Sequence, residues 1–104
     1  MKVTITGFAK QQIRETARYI NKEFGRRYRD NFMRKVLEVR QHLALNPNMG
    51  PVEPLLSDCS KVYRSVVIAK LNKMVYYIAD DQIVVVDFWD VRREPEALAA
   101  QVKE

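Results

Sequence analysis

The sequence predicts an α+β fold in which a helical hairpin packs on one face of a small, mostly antiparallel sheet. Three observations predict it. Two consecutive stretches repeat the same helical spacing of apolar residues, with a single glycine between them. Three later stretches rich in Val, Ile and Tyr are separated by short turn signals. A length of 104 residues suits one domain, residues 1–104, with one sizeable core.

Taken in order, Lys2–Thr6 alternates polar and apolar residues and predicts a short strand. Gly7 ends that pattern. Ala9, Ile13, Ala17, Ile20 and Phe24 then fall at intervals of 4, 4, 3 and 4, which places them on one helical face. After Gly25, Tyr28, Phe32, Val36, Val39 and Leu43 repeat that spacing, and Met33 and Leu37 widen the stripe. Two such helices across one glycine predict an antiparallel hairpin. Asn46-Pro47 ends the second helix, because the residue before proline avoids helical backbone angles.

Residues 46–61 contain Pro47, Gly50, Pro51 and Pro54 and read as an irregular connection. Val62–Lys70, Lys73–Ile78 and Ile83–Trp89 predict three strands, turning at Leu71-Asn72 and Asp80-Asp81. Turns this short require antiparallel pairing. Pro95, with Glu94 and Glu96 beside it, would suit the start of a short final helix. The order is β-α-α-β-β-β with an optional terminal helix, and the sheet face away from the hairpin is either solvent-exposed or functional.

Composition narrows the function classes. Apolar residues make up 47% and charged residues 30%, a globular balance. No apolar run approaches the roughly 18–20 residues of a transmembrane helix. The amino terminus is too short and too polar for a signal-peptide core. A single cysteine, Cys59, excludes an internal disulfide, and a single histidine, His42, excludes sites needing two. No phosphate-cradling glycine loop, Ser–His–Asp set or metal-ligand spacing occurs, so neither cofactor nor metal is expected. A cytoplasmic protein is the expectation.

Charge is unevenly divided. Residues 1–49 hold 11 Lys and Arg against 4 Asp and Glu, whereas residues 50–104 hold 7 against 9. A basic first half steers toward a polyanionic or acidic partner. In the second half, Arg64 and Lys70 share one face of a predicted strand, and Arg92-Arg93 follows the last strand. Guanidinium groups bind phosphate bidentately and stabilise charge in phosphoryl transfer. The competing reading is ion pairing with Asp87, Asp90 or Glu94. His42 reads as a boundary residue, Cys59 as an incidental thiol, and Trp89 as core or interface. Tyr76 and Tyr77 face opposite sides of their strand, so one of them belongs to the core.

The sequence resembles the RelE/ParE superfamily of small bacterial toxins over nearly its whole length. The resemblance rests on Tyr19-Ile20 and Phe24-Gly25 in the hairpin, on Asn46-Pro47 followed by Met49-Gly50, and on the strand-opening Tyr63-Arg64. It continues through Val75-Tyr76-Tyr77-Ile78 before Asp80-Asp81, and ends at Arg92-Arg93-Glu94-Pro95. It implies the toxin half of a type II toxin–antitoxin module, held in a hetero-oligomer by a cognate antitoxin with a partly disordered tail. RelE-like members are ribosome-dependent ribonucleases acting on messenger RNA. For them the resemblance implies Arg64 and Arg92 as catalytic residues, with Arg93 the register alternative to Arg92; Lys61, Lys70 and Arg93 are the residues expected to contact the target. The late Tyr or His of that group has no counterpart after Tyr77. ParE-like members bind DNA gyrase instead and carry long paired helices, and the basic first half favours this second reading.

Overall fold

The computed structural model of the chain describes residues 1–69 and 72–90. The expected terminal helix from Pro95 lies outside them. Strand β1 (Lys2–Ile5) leads into helices α1 (Gly7–Phe24) and α2 (Arg26–Leu45), and strands β2 (Tyr63–Ile68), β3 (Asn72–Ala79) and β4 (Gln82–Asp90) follow. The sheet order is β1-β4-β3-β2, so the first strand lies beside the last. β1 pairs with β4 in parallel, while β2–β3 and β3–β4 are antiparallel. The expected order of elements and the mostly antiparallel sheet are therefore present.

Local chemistry explains the helix ends. Thr6 caps α1: its hydroxyl oxygen accepts the Ala9 N–H at 3.2 Å. Gly25 both closes α1 and opens α2. Its N–H donates to the Asn21 carbonyl, and its own carbonyl accepts the Arg29 N–H. Its φ of 98° and ψ of 172° are accessible essentially only to glycine. One residue thus reverses the chain between two long helices.

The hairpin covers one sheet face. Ala9, Ile13 and Ala17 of α1 and Phe32, Val36 and Leu43 of α2 pack against Val3, Ile68, Met74, Tyr76, Ile83, Val85 and Phe88. The apolar stripe read from the sequence is correct along this stretch and wrong at its ends. Phe24 is 61% exposed and Tyr28 60%, because the hairpin tip runs beyond the sheet. Met33 and Leu37 also face solvent, so they do not widen the stripe.

The opposite sheet face is covered in its central part rather than exposed to solvent. The connection from Pro51 first pairs along the β2 edge and then folds under this face. Val52 bridges to Arg64, Glu53 N–H donates to the Tyr63 carbonyl, and Ser65 N–H donates to the Pro51 carbonyl. A 3₁₀ turn at Pro54–Leu56 then lowers Leu56 onto Tyr63, Val75 and Trp89, with Leu55, Cys59, Tyr77 and Val86 around them. Trp89 is core, and Cys59 is a half-buried free thiol. The bulge opposite Val75/Tyr76 makes Val86 the extra residue of β4, so that Val85 and Phe88 both face the hairpin while β3 keeps its ordinary alternation, Tyr76 toward the hairpin and Val75 toward this side. The sequence reading placed a turn at Leu71-Asn72. Instead the reversal begins at Ala69, with φ of 50°, and Asn72 already pairs with Ile68 and Asp90.

One carboxylate holds the covering connection in place. Glu53 is 2% exposed; it accepts hydrogen bonds from the Leu55 N–H, the Ser65 hydroxyl and the Lys73 ammonium. Burial pushes the Glu53 carboxyl up, but the Lys73 and Leu55 hydrogen bonds, the Lys73 charge and the Ser65 hydroxyl outweigh it. The carboxyl is held below its ordinary value of 4.5. Removing one partner strands a buried charge.

Two predictions follow from these contacts. Gly25→Ala should destabilise the fold by roughly 1–3 kcal/mol in urea denaturation. The added methyl meets no atom within 4 Å, so this cost is purely conformational. Glu53→Gln or Lys73→Met alone should each cost about 3 kcal/mol, and the double variant less than their sum. Because folding lowers the Glu53 pKa, its contribution is complete above the unfolded value of 4.5 and is lost as pH falls through the folded one. The acid limb of the stability–pH curve should therefore flatten in Glu53→Gln.

Candidate functional site

The Asn46–Gly50 turn joins α2 to the sheet, and it is clamped from beneath. Tyr76 is fully buried, and its hydroxyl donates to the Pro47 carbonyl at 2.7 Å and accepts the Gly50 N–H at 3.0 Å. Burial raises the phenol's pKa above its ordinary 10.0, against smaller opposing effects of the Gly50 N–H and the Arg64 charge. It therefore stays protonated and serves as a fixed donor. Gly50 has no room for a side chain. A Cβ there would sit 2.6 Å from the Ser65 carbonyl oxygen and 2.9 Å from the Tyr76 hydroxyl.

Arg64 stands next to Tyr76 in the β2–β3 register, and its guanidinium donates to the Gly50 carbonyl at 2.8 Å. This bond aims the side chain into a cleft of about 500 Å³ walled by Asn48, Lys61, Val62, Tyr77 and Ile78. Lys61 holds its ammonium over the Tyr77 ring, 5.3 Å from the centroid, a cation–π distance. Tyr63 meets Tyr77 edge-on, with centroids 5.8 Å apart, which steadies that ring from behind.

Of the basic residues singled out in the sequence, the structure thus brings Arg64 and Lys61 to one cleft. Lys70, Arg92 and Arg93 lie outside the described residues. Chemically the cleft offers two cations and a phenol rim, suited to holding a phosphate or carboxylate. Among the described residues no carboxylate or imidazole lines it. His42 is exposed on α2, away from these walls. No group of three or more potential metal ligands occurs among the described residues, and no described helix is long and apolar enough to cross a membrane.

Sequence reasoning missed Asn48 and the aromatic wall of Tyr77. It also missed Glu53 and Lys73, which are distant in sequence and carry no motif. It further missed a larger groove, of about 840 Å³, between the hairpin tip and the β2–β3 end of the sheet. The signal for that groove was present: Tyr19 and the Phe24/Tyr28 pair place aromatic side chains where both helices turn.

No protein-family model matches the sequence, and no curated protein does. Solved structures do match the fold. A structure of the chromosomal ParDE toxin–antitoxin (TA) system from P. aeruginosa matches at a TM-score of 0.72 and 14% identity, over 88% of this chain and 96% of that one. A YoeB/ParE toxin from Agrobacterium tumefaciens matches at 0.60 and 17%, over 86% and 98%. The YoeB dimer of Staphylococcus aureus matches at 0.57 and 19%, over 84% and 92%. The chain therefore has the fold of RelE/ParE-superfamily toxins.

The clamp makes a specific prediction. Tyr76→Phe deletes the hydroxyl that serves the Pro47 carbonyl and the Gly50 N–H, and should cost about 1–3 kcal/mol in chemical denaturation. Hydrogen exchange at Gly50 should accelerate, while amides in the middle of α1 should change only through global stability.

Proposed function

We propose that this chain is the toxin of a type II toxin–antitoxin module, acting in the cytoplasm to arrest growth and held inactive in a hetero-oligomer with a cognate antitoxin. The observation that carries this reading is the fold, which the chain shares over most of its length with toxins of such modules. Within that class we favour a ParE-like toxin that acts by binding its target, with DNA gyrase the first target to test. Two features support the preference. Basic charge is concentrated on the helical hairpin, and the Arg64 cleft has no carboxylate or imidazole among its described walls. A binding toxin needs an adhesive surface, whereas a ribonuclease needs groups that move protons, for which the described walls of the cleft offer Lys61 and the Tyr77 phenol alone.

The second reading is a RelE-like ribonuclease cutting ribosome-bound messenger RNA. Its support is the presence of Arg64 and Lys61 in one cleft, two cations that suit a scissile phosphate. In that reading Arg64 and Arg92 stabilise the pentacoordinate charge while Lys61, Lys70 and Arg93 hold the strand.

Induced expression without any antitoxin, with mapping of messenger-RNA 5′ ends, separates the two. The expected result is growth arrest with intact messages, equally strong in Arg92→Gln, followed by loss of supercoiling activity when purified chain is added to gyrase. Codon-phased new 5′ ends, reduced about 10²-fold or more in Arg92→Gln, would establish the ribonuclease instead. A chain that leaves growth unaffected would contradict the toxin reading. Binding of the antitoxin should weaken as salt rises, since the partner is expected to be acidic.

A further inference from the structure

Helix α1 carries four Lys and Arg, and all four fall in one row: Lys10, Arg14, Arg18 and Lys22, each four residues from the next. Four residues exceed one turn by about 40°, so the row climbs roughly 18 Å along the axis and fans through about 120° of the helix surface. The first three each follow a buried residue, Ala9, Ile13 and Ala17, which sets the row about 100° round from the core. Gln12, Thr16 and Ile20, which line the groove at the hairpin tip, lie on the opposite flank. All four cations are exposed. Like charges four apart on a helix repel, so the row works against the stability of α1.

Most arginines of α2 are engaged within the chain. Arg26 and Arg29 meet Asp30, Arg34 bonds Asn31, and Arg40 donates to the Val3 carbonyl. Among the described residues, no side chain of the α1 row has an ion pair or a hydrogen bond. Glu15, the acid nearest the row, bonds Gln11 and lines the groove instead. The other side chains in the sector of the row are Gln11 and Asn21, so the flank has no apolar anchor. Protein interfaces draw their affinity from such anchors. A helix lying in a membrane surface needs its apolar face free, and here Ala9, Ile13 and Ala17 belong to the core. A phosphodiester backbone asks only for a row of cations.

We propose that the row of Lys10, Arg14, Arg18 and Lys22 seats α1 against the sugar–phosphate backbone of duplex DNA, independently of base sequence. An α-helix of about 10–12 Å diameter matches the major groove of B-form DNA, about 12 Å wide, and cations fanned over its exposed side reach the phosphates that border that groove. The major groove of an RNA duplex is deep and narrow and does not admit a helix. Single strands are held by aromatic side chains on which bases stack, and this sector has none. Over roughly 18 Å each DNA strand presents about five phosphates, enough to meet four cations. The proposal goes beyond the toxin reading and stands on α1 alone; the groove at the tip and the Arg64 cleft take no part in it.

The test is fluorescence anisotropy of the full chain with a labelled 20-base-pair DNA duplex. Affinity should fall with salt at a log–log slope of about −3.6, the value for four phosphates, or about 10²-fold between 50 and 200 mM. A duplex of unrelated sequence should bind within about threefold of the first. Lys10→Gln/Arg14→Gln/Arg18→Gln removes three charges of the row; it should weaken binding about 10²-fold at 50 mM salt and bring the slope to about −1. Arg26→Gln/Arg29→Gln/Arg34→Gln removes the same charge from α2 and should change affinity by less than about threefold. Circular dichroism verifies the fold of both variants. No binding at 50 mM salt, equal losses in the two variants, or tighter binding of an RNA duplex or a single strand would overturn the proposal. Supercoiling assays on the same proteins keep the target reading apart. Gyrase inhibition without DNA binding removes the row and leaves the ParE-like reading standing; DNA binding without gyrase inhibition does the reverse.

Discussion

The hydroxyl of Tyr76 joins the two halves of the molecule. It lies where the chain leaves α2 and must cross to the far side of the sheet, and it satisfies a carbonyl on one side of that crossing and an N–H on the other. Everything downstream inherits this position. Gly50 is drawn so close to β2 that its carbonyl meets Arg64. Residues Pro51 to Glu53 then run along the β2 edge as a partial fifth strand, and Glu53 reaches Ser65 and Lys73 beneath the sheet. A buried, satisfied polar network of this kind specifies one arrangement of a segment that four prolines and glycines would otherwise leave undetermined.

The same crossing divides the surface into two territories. At one corner the clamp fixes a small cationic cleft with an aromatic wall. At the opposite end of the layer the helices run past the sheet and leave aromatic and basic side chains together. The first territory is preorganised by hydrogen bonds, as a site for chemistry would be. The second is an apolar floor bordered by exposed aromatic side chains among the described residues.

Much of this was legible in the sequence, and the reasons differ by element. The helices announced themselves because the 3.6-residue period recurs over eighteen and twenty residues. The three later strands followed from β-branched and aromatic runs punctuated by Asp80-Asp81. Arg64 was singled out by the resemblance at the Tyr63-Arg64 pair, and the cleft around it was not foreseen. What could not be read is equally instructive. Periodicity gives a helix its apolar face without saying how far the sheet beneath it extends, so Phe24 and Tyr28 looked like core. The Glu53–Lys73 contact joins residues 20 apart through a fold that neither residue encodes. The bulge at Val75/Tyr76 depends on the pairing of two strands and has no local signature.

The position of β1 has a consequence for biosynthesis. Its first neighbour in the sheet is the last described strand, and the Thr4 hydroxyl donates to the Gln82 side chain across 78 residues. Meanwhile the outer edge of β1 is stopped by α2: Arg40 donates to the Val3 carbonyl, and the terminal ammonium donates to the Ala44 carbonyl. On the ribosome, therefore, the hairpin can form early from local contacts, but the amino-terminal strand has no partner until β4 has been made. The sheet closes only after β4 has been made, and its slow, long-range pairing leaves an interval in which the basic hairpin is already folded and presented.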